Sequence, residues 1–106
     1  MIKITLYNDK NDTIHGFTIK NHGDALVCAA VSALAITCVN FIQDKFDMLV
    51  YTEHDDAGGY IHFELADDAH KDYQNAALLI EGMTYGLKLI EEAHRNEVKI
   101  TTKKEG

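Results

Sequence analysis

Between Ala25 and Ile42 the chain runs through an Ala/Val/Leu-rich segment whose only polar interruptions are Ser32, Thr37, Asn40 and two cysteines. A helix that is apolar on nearly every side is either buried in a protein or spans a membrane. The stretch is borderline in length for a bilayer and lacks the Lys/Arg and aromatic flanks of a span. A buried central helix is therefore expected, with no membrane association. Asp24 stands just before it, where a carboxylate accepts the orphan N–H groups of the first turn.

The rest of the chain has to supply surfaces for that helix to cover. Ile2, Ile4 and Leu6 alternate with polar residues in the period-2 pattern of a half-buried strand, and Thr13 to Lys20 resumes it with His15, Phe17 and Ile19 on one face. Asn8 to Asp12 is turn chemistry, so these two strands form a hairpin. Asp47–His54 and Tyr60–Leu65 read as a second hairpin, its glycines Gly58 and Gly59 supplying positive φ in the loop. From Gln74 to His94, Ala76, Leu79, Met83, Leu87 and Ile90 recur at helical spacing. Gly82 and Gly86 in that helix suggest close approach to another backbone or a small-residue contact. Val98, Ile100 and Thr102 make a short last strand. The order β-β-α-β-β-α-β predicts an α+β fold of two layers, a mainly antiparallel sheet packed against two helices. At 106 residues, 46% of them hydrophobic, the chain suits one domain (residues 1–106) with a core that needs no covalent staples.

Seventeen acidic against ten basic residues give a formal net charge of −7. An acidic surface repels phosphate backbones, so no nucleic acid is expected, whereas a basic peptide is attracted. Two cysteines and no export signal are read as free thiols in a cytoplasmic protein. No CxxC or HxxxH pair is present, the histidines are scattered, and Asp55 and Asp56 fall short of a calcium loop. No dinucleotide or phosphate-binding glycine loop occurs. Neither a metal nor a cofactor is expected.

Chemistry then falls to the cysteines. A thiol is a nucleophile only as thiolate, and Cys28 lies in the first turn of the predicted helix, where backbone N–H groups and the macrodipole favour negative charge. The amides of Cys28 and Ala29 are candidates for an oxyanion hole. His22, six residues earlier, can fold back toward the thiol as general base, the Cys–His pattern of nucleophilic catalysis. Buried cysteines in apolar helices are mostly inert, so spacing alone leaves both readings open. Cys38 lies ten residues on, roughly 80° around a helix of 3.6 residues per turn, and reads as core.

These residues resemble the ribosomal-processing cysteine protease family, Prp. The matching pieces are Gly16-Phe17-Thr18-Ile19-Lys20, then His22, the block Val27-Cys28-Ala29-Ala30-Val31-Ser32-Ala33-Leu34, the hairpin Gly58-Gly59-Tyr60, and Gly86-Leu87. The likeness spans nearly the whole chain. It implies a small homodimeric α+β protein that removes an N-terminal extension from a large-subunit ribosomal protein precursor. It places the family histidine on His22, the nucleophile on Cys28, and a site-lining or orienting serine on Ser32. Typical members carry a longer glycine-rich loop between histidine and cysteine; here only five residues separate His22 from Cys28. The family aspartate three places before the cysteine is replaced by Ala25, and the acid stands one place earlier as Asp24, a helix cap that can also orient the imidazole. The leading expectation is a cysteine endopeptidase. The alternatives are a catalytically impaired dimeric module that binds a ribosomal or phage structural protein, and a structural dimer joined through exposed apolar helix surface.

Overall fold

The computed structural model describes residues 1–105. Its elements are β1 (Ile2–Asn8), β2 (Ile14–Lys20), α1 (Ala25–Lys45), β3 (Val50–His54), β4 (Tyr60–Leu65), α2 (Tyr73–Ala93) and β5 (Val98–Lys104). The five strands form one sheet in the order β3-β4-β2-β1-β5. Three pairings are antiparallel and the β1–β5 pairing is parallel, so the sheet is mixed with an antiparallel majority. The α+β architecture expected from the sequence is present.

Alternation puts one row of large apolar side chains on the helix-covered face. Leu6 lies opposite Phe17 and Phe17 opposite Phe63. All three are fully buried, and the two phenyl rings sit 6.0 Å apart, tilted by 41°. A neighbouring row runs through Ile4, Ile19, Ile61 and His54. His15 departs from the face expected for it. The register slips beside Tyr7 and Asn8, so that Gly16 and Ile14 pair across β1 and His15 is the extra residue of a bulge. A bulge re-aims a side chain, and the His15 imidazole ends beside Glu64, 3.4 Å from its carboxylate.

The central helix is the larger correction. Only Val27, Val31, Ala35, Cys38, Val39 and Ile42 of α1 are buried, a single stripe at helical spacing. Leu26, Ile36 and Phe41 remain half-exposed or more. The physical reason is layering: α2 packs on β2, β4 and β5, and α1 packs beside α2, so one flank of α1 meets the core and the others do not. Of the two glycines of α2, a side chain at Gly86 would meet the Leu34 side chain of α1 at 2.9 Å, while Gly82 faces open space. The close approach is thus to a side chain, and at one glycine only.

Phe63→Ala removes one of the two packed phenyl rings of the buried row and is expected to cost about 3–5 kcal/mol in urea unfolding. A loss below about 1 kcal/mol would show that this row is not the core.

Candidate active site

Because α1 lies to one side, part of the inner sheet face stays uncovered and forms a cleft of about 840 Å³ between α1 and the β3–β4 hairpin. His22, Cys28, Ala29 and Ser32 all line it, so four of the five residues singled out from the sequence meet in one place. The opposite wall is the hairpin, with His54, Asp55, Asp56 and Gly59. Asp55 organises that turn by accepting the Ala57 and Gly58 amides on its side chain and backbone, at 3.0 and 2.8 Å. Gly58 and Gly59 follow at φ +85° and +86°, as turn glycines should.

Asp24 works as the helix cap. Its Oδ2 accepts from the amides of Leu26 and Val27 at 3.0 and 3.3 Å, and its own N–H donates to Glu97 at 2.8 Å. The carboxylate is therefore turned toward the helix end. This anchors the start of α1, and with it the height of Cys28 in the cleft.

Cys28 is half-buried. Its Sγ accepts from the Gly23 N–H at 3.2 Å and donates to the Gly23 carbonyl at 3.6 Å. Among the described residues these are the thiol's hydrogen-bond partners, and the imidazole of His22 lies instead against the hairpin glycines. The amides near the thiol also differ from expectation. Cys28 N–H donates to the Asp24 carbonyl at 2.8 Å, closing the first helical turn. Ala29 stands one residue deeper in the helix, where the N–H belongs to the i−4 ladder. The amide that points at the sulfur is that of Gly23. Sequence pattern gave no signal for Gly23, nor for Glu97, which arrives from 73 residues away.

Cys38 is core, as expected: it is buried, and burial pushes its thiol up to about 11. His15, Glu64 and Glu105 form the one group among the described residues whose donor atoms have metal-ligand spacing, all within 4.8 Å. It lies away from the cleft, and Glu64 already pairs with both His15 and His62 at 3.4 and 3.1 Å.

A thiol at a helix N-terminus and a histidine lining the same cleft are the ingredients of a cysteine peptidase. Comparison with known proteins decides the family. The family model for cysteine protease Prp matches residues 1–99. The chain belongs to the Prp family. It is 32% identical over 111 residues to the ribosomal processing cysteine protease Prp of Bacillus subtilis (strain 168), covering 96% of this chain and 97% of that protein. The crystal structure of an essential ribosomal processing protease Prp from S. aureus, with a covalently linked product peptide, superposes with a TM-score of 0.87 at 24% identity, covering 97% of this chain and 100% of that one. A Streptococcus mutans crystal structure gives a TM-score of 0.84 at 26% identity, covering 99% and 96%. The fold is that of Prp, and the chain is a cysteine peptidase.

The two thiols differ enough to be told apart. At neutral pH iodoacetamide is expected to modify Cys28 and spare Cys38 in the folded protein, with Cys38 labelled only as pH approaches about 11. Equal rates at neutral pH, read by peptide mapping, would contradict this assignment.

Proposed function

We propose that this chain is an endopeptidase that removes the N-terminal extension of a large-subunit ribosomal protein precursor, with Cys28 as nucleophile and His22 as general base. The observation that carries the reading is the cleft itself: it is lined by both residues in a chain that matches the Prp model almost end to end. The name of the Bacillus subtilis relative, a ribosomal processing cysteine protease, supports a ribosomal substrate.

In this reading a peptide lies between α1 and the hairpin and draws the thiol away from the Gly23 carbonyl. His22 takes the proton from Sγ, and the thiolate attacks the scissile carbonyl carbon. The negative charge on the carbonyl oxygen develops beside the Gly23 N–H, which already points at the sulfur. Protonated His22 returns its proton to the departing amine. Water, deprotonated by His22, then hydrolyses the thioester. Ser32 lines the same floor and is assigned to substrate contact. Asp55 and Asp56 on the rim, with the net charge of −7, suit a basic peptide, and the same reading has the protein work in the cytoplasm.

The second reading, a binding module without turnover, is favoured by one observation: the thiol is bonded to Gly23 and not to the imidazole. In the peptidase reading the thiol leaves Gly23 when substrate binds, and catalytic hydrogen bonds commonly align only in the complex with substrate. We also propose a homodimer through the helix layer, because Leu26 and Phe41 of α1 and Leu78, Tyr85 and Leu89 of α2 are all about half exposed or more. Sedimentation at micromolar concentration is expected to give twice the chain mass; a monomer would remove the dimer from this account.

Cys28→Ala is expected to abolish removal of the extension while leaving the melting temperature within a few degrees of the parent. Retained cleavage by that variant, followed by mass spectrometry of the precursor, would sink the assignment.

A further inference from the structure

The hairpin glycines do more than turn the chain. A side chain built at Gly59 would place its Cβ 2.6 Å from His22 Nε2 and 3.2 Å from both Cδ2 and Cε1. The imidazole therefore lies on the space that the missing side chain leaves. At Gly58 the same construction meets nothing of His22 nearer than Cε1 at 3.5 Å, an ordinary contact. The backbones are tied as well: Asn21 N–H donates to the Gly59 carbonyl at 2.8 Å, extending the β2–β4 ladder one step beyond Lys20 and Tyr60. The residue before the imidazole and the hairpin tip thus move together.

We propose that Gly59 is a positioning residue for the reaction: the β3–β4 hairpin is the seat of the base, and it sets where the His22 ring stands relative to Cys28. This rests on the assignment of His22 as base. Gly59 carries no side chain and acts through the ring. A methyl group there collides with the far end of a flexible side chain, so the ring yields and the fold persists.

Gly58 supplies a matched control. Both glycines have positive φ, +85° and +86°, so alanine at either position carries backbone strain. Only Gly59→Ala also displaces His22. Cleavage of the ribosomal protein precursor is expected to lose about tenfold or more in kcat for Gly59→Ala, with KM within about twofold, a displaced base removing part of the 10²–10⁴-fold that general-base catalysis typically contributes. Gly58→Ala is expected to lose several-fold less in kcat than Gly59→Ala, because a methyl group there meets the ring only at an ordinary contact distance. The two variants should melt at similar temperatures, and the His22 ring resonances should shift in Gly59→Ala alone. Equal kcat losses in the two variants, or full activity in Gly59→Ala, would overturn the proposal. So would a Gly59→Ala chain that fails to fold while Gly58→Ala folds, since the backbone and not the ring would then take up the clash. If cleavage survives Cys28→Ala, the peptidase assignment itself is wrong. If Cys28→Ala is inactive while the glycine variants behave alike, only the seat is wrong.

Discussion

Four residues connect β2 to α1, and the site depends on how tightly they are held. Asn21 is fastened to the hairpin through the Gly59 carbonyl, Asp24 to Glu97 through its amide and to the helix through its carboxylate. Asn21 pays for this with a left-handed φ of 73°, a conformation that asparagine tolerates better than most residues. Between those two anchors only His22 and Gly23 remain. One presents the imidazole to the hairpin and the other presents an amide to the sulfur. A connection this short ties imidazole, thiol and cap closely together, which is a different arrangement from a mobile loop that closes over substrate.

The fold was largely legible because period-2 alternation in Ile2, Ile4 and Leu6, and turn chemistry at Asn8–Asp12 and Asp55–Gly59, each have a local physical cause. The parallel pairing of β1 with β5 was not, since nothing local to Val98–Lys104 records which edge it joins. His15 was misplaced because a bulge leaves the residue pattern intact while shifting the register by one. The face of α1 was illegible for the opposite reason. When every side is apolar, periodicity carries no information on which side is buried, and Leu26 at 77% exposure looks in sequence like Val31 at 2%.

The same uniformity bears on function. An apolar helix with one flank in the core leaves a second flank on the cleft and a third facing outward. The first holds the domain together, the second lines the cleft through Cys28, Ser32 and Ile36, and the third, with Leu26 and Phe41, is exposed. The candidate cleft was legible through composition at the helix start: a cysteine, a cap and a histidine in one short span. Their hydrogen bonds were not, because the cap takes the amides of Leu26 and Val27 and leaves Gly23, outside the helix, as the donor to the sulfur.

Everything in this account turns on covalent catalysis by one of two thiols. Mixing the protein with the ribosomal precursor of the same genome, quenching in acid within a single turnover and mapping the enzyme by mass spectrometry tests it directly. The account predicts an acyl adduct on Cys28 that is replaced by free thiol as the shortened precursor appears. A shortened precursor with no adduct on Cys28, or an adduct on Cys38, would contradict it.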